Sequence, residues 1–406
     1  MKISTFITAN LTCLAVLTVC NANAGGLWLN QYGDFASGMS SAGASAGGDE
    51  AATIIHNPAS GTGIEGSQLF ASVGAIIPTM EFDLEYTNPI NGDDDGGSAG
   101  LDAPLASMAY VHDLNSEKWS LGIYTAGLAG AGLEYNREWA GRFQNTKVEL
   151  LLLTVAPTVG YQLTDSFSVG LAAQYYYGSL DFELGLPTRP NRAPGKATLD
   201  GTDSGFSYAL GAVWALSDTT SIGLNYQSEV ALDFDGKLKL ENNIESISAT
   251  SNTELNMAQF VRLGLHHELN DQWALGLTLG WDDWSTMKDV FVSLPEVEAG
   301  LARNWEDTYH YAAGFQYAAN RDWDITAGIA YDTNPVDAED RTADMPIDRQ
   351  IRYTGGARYQ LSESLTLGGY LNYTDLGSAK IRTGQWGGEY DKNEVLEFSL
   401  YLNWLI

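Results

Sequence analysis

The sequence predicts an all-β fold: a 14-stranded antiparallel transmembrane β-barrel with an N-terminal hatch, or plug, inside the lumen. Three observations predict it. Strand-length segments alternate apolar with polar or small residues along most of the chain. Short polar turns and long loops take turns, with a period of roughly 50 residues. The chain also ends on strict alternation: Leu396, Phe398, Leu400, Leu402, Trp404 and Ile406 share one face, against Glu397, Ser399, Tyr401, Asn403 and Leu405. Composition agrees. The 406 residues hold 51 Asp+Glu against 21 Lys+Arg, a net charge of -30, with no basic face for nucleic acid. At 44% hydrophobic and 11% aromatic residues the chain has enough to bury, which excludes disorder. Beyond the first two dozen residues no apolar run reaches the ~20 residues a membrane helix needs.

Residues 1–24 read as a cleaved secretory signal: Lys2, an apolar stretch from Phe6 to Val19, then Ala22-Asn23-Ala24. Cys20 raises lipoprotein processing as a rival, against which Val19 is large for that site. Both cysteines, Cys13 and Cys20, lie here, so the exported chain would carry no disulfide.

Residues 25–66 are rich in Gly and Ala and have no strand period. Such a segment is too short to fold alone. It suits close backbone packing inside a lumen; a flexible leader is the alternative.

Residues 67–406 form the barrel. Strands are expected at about 67–87, 102–113, 117–128, 146–163, 165–184, 203–216, 219–235, 252–269, 272–284, 304–320, 321–332, 349–362, 363–378 and 392–406. Trp119-Ser-Leu-Gly122 recurs as Phe167-Ser-Val-Gly170, Thr220-Ser-Ile-Gly223, Trp273-Ala-Leu-Gly276 and Leu365-Thr-Leu-Gly368, each after a short turn. Apolar residues facing out and polar or small ones facing in is the outer-membrane pattern. A soluble sandwich also alternates, without separating short turns from long loops so regularly. Tyr and Trp near strand ends fit an interfacial girdle. The even count puts both barrel ends on the short-turn side. The long loops then hold Asp93-Asp94-Asp95, 187–196, 241–252 and 333–348. Pro157 inside a strand predicts a bulge.

Catalytic and metal signatures are missing. Of the five histidines, His266 and His267 point to opposite faces, and no Ser–His set or metal spacing stands out. No enzyme, cofactor or metal site is expected, and Asp93-Asp94-Asp95 reads as a solvated acidic loop.

Residues 27–59 carry a resemblance. Leu27-Trp28-Leu29-Asn30-Gln31-Tyr32-Gly33, the Ala-Gly stretch 42–46 and Asp49–Ala59, ending in Asn57-Pro58-Ala59, resemble the hatch of the FadL/TodX outer-membrane transporters. Trp281-Asp-Asp-Trp284-Ser and a block from Asn304 to Arg349 are similar in turn, so the resemblance covers essentially the whole exported chain.

The resemblance implies passive uptake of hydrophobic molecules across the outer membrane of a Gram-negative bacterium. Long-chain fatty acids are the first expectation, aromatic or alkane hydrocarbons the second; a surface adhesin or structural barrel is the rival from another class. It also implies an outer groove, a lumen pocket near the hatch N-terminus, and a lateral exit at a kink in the third strand, here Gly127, Gly130 and Gly132. Leu27, Trp28 and Leu29 would line the pocket or pack the hatch. A fatty-acid head group needs a cation, and Arg142, Lys288, Arg303, Arg352 and Arg358 are the candidates, with bracing of the lumen wall as the alternative. The surroundings expected are outer-membrane lipid and lipopolysaccharide, with the barrel as a monomer.

Overall fold

The computed structural model describes residues 27–116, 118–186, 195–241, 246–287, 289–294 and 297–406. The expected signal at 1–24, Lys288 and most of the 187–196 loop lie outside the described residues. Fourteen strands close a barrel: β1 (Gln68–Thr87), β2 (Ala103–His112), β3 (Trp119–Glu134), β4 (Lys147–Thr164), β5 (Phe167–Leu186), β6 (Gly195–Ser217), β7 (Thr220–Gln227 and Val230–Glu241), β8 (Ser246–Met257 and Phe260–Asn270), β9 (Trp273–Asp282), β10 (Thr308–Ala318), β11 (Trp323–Asp332), β12 (Gln350–Ser362), β13 (Leu365–Asp375) and β14 (Trp386–Leu405). All pairs are antiparallel. β14 returns to β1 in a register running from Gln68↔Leu405 to Thr87↔Trp386, which leaves no free edge.

The alternation sorts residues as a bilayer requires. Leu171, Tyr175, Leu277, Leu279, Tyr353 and Phe398 are exposed on the outer wall. Their neighbours Ala172, Gln174, Thr278, Arg352 and Thr354 are buried inside. Trp119, Trp214, Trp273, Trp323 and Trp404 form an exposed ring near the short turns, where an indole sits well between lipid and water.

Several strands run further toward the long loops than expected. β3 reaches Glu134, β6 starts at Gly195, β7 ends at Glu241, β8 starts at Ser246 and β14 at Trp386. Beyond the apolar band the pattern inverts. In β7 Val230, Leu232 and Phe234 are buried inward while Ala231, Asp233 and Asp235 face out. The breaks at 228–229 and 258–259 shift the inward positions from odd to even numbers, from Gln227 to Val230 and from Met257 to Phe260. A short backbone hairpin, Asp289–Leu294 with Val297–Ala302, was not anticipated and pairs with β8 at Val292↔Thr253. Pro157 forms no bulge. Its register to β5 is unchanged on both sides, Val155↔Tyr175 and Thr158↔Ala172, so the missing N–H is absorbed as a gap in the ladder.

Residues 27–66 lie in the lumen as short helical turns: Phe35–Met39, Ala44–Ala46, Thr53–His56 and Pro58–Gly63. Asn57 is fully buried and anchors them. Its Nδ2 donates to the carbonyls of Ser45 at 2.7 Å, Ala212 at 3.1 Å and Leu224 at 3.3 Å, and its Oδ1 accepts from Ala59 N at 3.0 Å. Pro58 opens the last turn, where its fixed φ suits a helical start. The wall meets this segment through glycine. A Cβ at Gly170 would fall on Pro58, at Gly223 on Ser45, at Gly276 on Ala42, and at Gly122 it would stand 2.8 Å from Ile54. Four of the five repeated Gly positions are therefore points of closest approach to the lumen segment.

Candidate functional site: a lumen cavity with a window in the wall

Above the lumen segment lies a cavity of about 1260 Å³. Leu27, Trp28 and Leu29 form its floor. Trp28 is fixed by a hydrogen bond from Nε1 to Ala258 O at 2.9 Å and by edge contact with Phe260 at 5.8 Å. Leu105, Leu133, Leu150, Leu180, Met345 and Ile347 supply apolar wall, which suits a ligand whose cost in water is about 0.8 kcal/mol per CH₂. One side is polar: Gln350, Arg352, Asn372, Thr374 and Glu397, projecting from β12, β13 and β14. A second cavity of about 700 Å³ lies toward the long loops, between Phe143, Phe182, Leu255 and Trp386. The two share Leu150, Leu180, Asp344 and Met345 as a partition.

The wall has a window. β2 and β3 pair only from His112↔Leu121 to Ser107↔Ala126. Beyond Ala126, β3 continues on β4 alone, with a register shift between Gly127 and Ala129. The loop after β1 closes the gap again, through Leu101 N to Gly132 O at 3.0 Å and Glu134 N to Ala99 O at 2.8 Å. The opening lies between Ala103–Ala106 and the Gly-rich stretch. The cavity's lining includes both edges, Gly127, Gly130 and Gly132, and also Leu151 and Leu153, which are exposed on the outer wall. A Cβ at Gly127 would meet only Leu153, at 3.9 Å. The cavity thus reaches from the lumen to the outer surface of the wall, where Asp181, Asp200, Asp235, Lys237 and Lys239 also line it.

Each described arginine among the candidates already has partners. Arg142 donates to the carbonyls of Ile90, Asn91, Glu138 and Trp139, tying two loops together. Arg303 pairs with Asp344 at 2.5 Å and donates to Thr342 at 2.8 Å. Burial works to raise the Asp344 carboxyl, but Arg303 outweighs it and holds the group below its usual range. Arg352 pairs with Asp332 and donates to Gln350 at 2.5 Å. Arg358 joins Asp49 at 2.7 Å, Asp324 at 2.8 Å and Glu50 at 3.4 Å, so it clamps the lumen segment to the wall. Of these, Arg352 lines the larger cavity and Arg303 the outer one.

Inward charges that the sequence reading passed over complete the picture. Arg262 pairs with Asp282 at 2.8 Å and reaches Asn30, and His310 pairs with Asp332 at 2.7 Å. His56 holds Asp34 at 2.8 Å within the lumen segment. Arg262, His310 and Glu397 all stand at inward positions of alternating strands, and that parity was the available signal. Asp94 and Asp95 each accept a backbone N–H within their own turn, from Gly96 and Gly97.

A closed barrel with a filled lumen, an apolar cavity and a side window defines a class: outer-membrane channels for hydrophobic compounds. The chain belongs to the family described as outer membrane protein transport protein (OMPP1/FadL/TodX), whose model matches residues 15–396. The family consists of transport channels. The long-chain fatty acid transport protein of Escherichia coli O6:H1 is 23% identical over 431 residues, covering 96% of each chain. Outer membrane protein P1 of Haemophilus influenzae is 22% identical over 417 residues, covering 91% of this chain and 90% of that one. Among solved structures, a Pseudomonas aeruginosa FadL homologue matches with TM-score 0.86 at 18% identity, over 94% of this chain and 100% of that one. The P. putida toluene transporter TodX matches with TM-score 0.74 at 17% identity, over 93% and 99%. These structural likenesses concern the fold.

Proposed function

We propose that this chain admits long-chain fatty acids, and apolar molecules of similar length, by diffusion through its side wall. The observation that carries this reading is the cavity lined by Leu27 and Trp28 at one end and by outward-facing Leu151 and Leu153 at the other. A molecule on this route enters the outer cavity, passes the Leu150–Met345 partition, and leaves between β2 and β3 into the membrane. It never has to dissolve in water, which for an apolar chain is the unfavourable step. The relatives named for fatty acids support the acyl substrate; the toluene transporter supports the aromatic one. The length of two cavities in series favours the former. Residues 25–66 act as the hatch, the signal at 1–24 is removed, and the closed barrel stands as a monomer in lipid and lipopolysaccharide. The partners found for Arg142, Arg352 and Arg358 favour bracing over direct carboxylate binding, whereas Arg303, which lines the outer cavity, keeps its buried Nε without a partner among the described residues.

The test is uptake of labelled oleate by cells lacking their own fatty-acid channel. Expression of the chain should raise uptake, and Gly127→Trp, which sets an indole at the outer mouth of the window beside Leu153, should lower the increase. Unchanged uptake with the Trp variant folded in the outer membrane overturns the lateral route. No increase from the unaltered chain overturns the acyl substrate.

A further inference from the structure

On the polar side of the lumen cavity one buried carboxylate stands outside any ion pair among the described residues. Arg352 is 6% exposed, and its guanidinium is taken by Asp332 and Gln350. Asp332 is held in addition by His310. Arg303 is taken by Asp344. Glu397 lines the same cavity, is 4% exposed, and enters no ion pair among the described residues. Its partners are neutral: the Tyr370 hydroxyl donates to Oε1, and Asn372 Nδ2, directly across the β13–β14 ladder, donates to Oε2 at 3.3 Å. Arg303 and Arg352 are thus each committed to another carboxylate, and Glu397 is left with neutral hydrogen-bond partners, Arg352 acting on it through its charge alone.

The position of Glu397 bears on the ligand's head group. A carboxylate ligand beside Glu397 would bring two carboxyl groups together in a dry site, where two like charges disfavour each other strongly. Glu397 offers about four lone-pair positions, and Tyr370 and Asn372 fill two. Glu397 therefore has acceptor positions for a further donor. We propose that Glu397, with Asn372 and Tyr370 positioning it, is a head-group subsite for a neutral O–H donor at the end of a long apolar chain: an alcohol, or a carboxylic acid in its protonated form. This rests on the reading of the cavity as the uptake path. A fatty acid bound this way takes up one proton, which it shares with Glu397. Its affinity then falls by up to about tenfold per pH unit above its solution pKa, while that of an alcohol stays level.

The experiment measures binding of labelled hexadecanol, methyl hexadecanoate and hexadecanoate to the full chain in lipid nanodiscs at pH 6 and pH 8.5. Hydrogen bonds to a charged group predict that hexadecanol binds at least about tenfold tighter than hexadecanoate at pH 8.5. The difference should shrink at pH 6. Glu397→Gln should abolish the preference and the pH dependence while leaving the methyl ester unchanged. Hexadecanoate binding as tightly as hexadecanol at pH 8.5, or a ranking that survives Glu397→Gln, overturns the subsite. The methyl ester tests the cavity itself: if it fails to bind the unaltered chain, the uptake reading falls, whereas its binding without an alcohol preference overturns the subsite alone.

Discussion

Asn57 shows how one side chain can hold two layers of the molecule together. Its amide reaches carbonyls of Ala212 on β6 and Leu224 on β7 as well as Ser45 of the lumen segment. Asn57→Ala removes the donor and takes from the buried Ser45 carbonyl its partner, a loss of about 1–3 kcal/mol. The expected result is a lower unfolding temperature with the barrel still formed, read by circular dichroism; an unchanged temperature would show that the segment is held elsewhere. Gly223 makes the complementary point. Its Cβ would fall on Ser45 O, a backbone atom that cannot swing aside. Gly223→Ala should therefore disturb the segment more than Gly63→Ala, where a Cβ meets nothing within 4 Å. The Gly repeat was visible in the sequence, but its meaning was not. Spacing shows that small residues recur on one face; only the closed barrel shows that another backbone lies against them.

At the scale of the element, strand existence was legible and strand length was not. Alternation with apolar residues outward holds only where lipid is outside. The outer extensions of β6 and β7 keep alternating with the sense reversed, Ala197 and Leu199 inward and Asp200 outward, so the expected strands stopped short. The β2–β3 window left only its glycines as a trace, because an absent pairing has no residue signature of its own. The arginine partners were illegible for another reason: Arg358 meets Asp49 across 309 residues of sequence, and closure alone brings them together. The same contact makes the lumen segment sensitive to pH. Burial pushes the Glu50 carboxyl from 4.5 up to about 8, because Arg358 is already shared with Asp49 and Asp324. The folded chain then binds more protons than the unfolded one between those values, so stability falls as pH rises from about 4.5 to 8. Glu50→Gln should flatten that slope in thermal unfolding measured across pH 5 to 9. A slope that persists in the variant would place its origin elsewhere.

For the whole molecule, the question is whether cargo leaves through the side or through the end. The two routes respond differently to two changes. Deleting residues 27–66 removes Leu27 and Trp28 from the cavity floor and Asn57 from the lumen, so water and ions gain a path along the barrel axis. Gly127→Trp leaves that segment untouched and sets an indole at the outer mouth of the window, where its Cβ stands 3.9 Å from Leu153. If cargo leaves sideways, the deletion raises ion conductance in planar bilayers without a matching gain in oleate uptake. The Trp substitution then lowers oleate uptake with conductance unchanged. If cargo leaves along the axis, the deletion raises both and the Trp substitution affects neither. The lateral outcome is the expected one, because an acyl chain moving sideways exchanges an apolar cavity for lipid, whereas one moving along the axis meets the buried polar pairs Arg262–Asp282 and His56–Asp34 and then water.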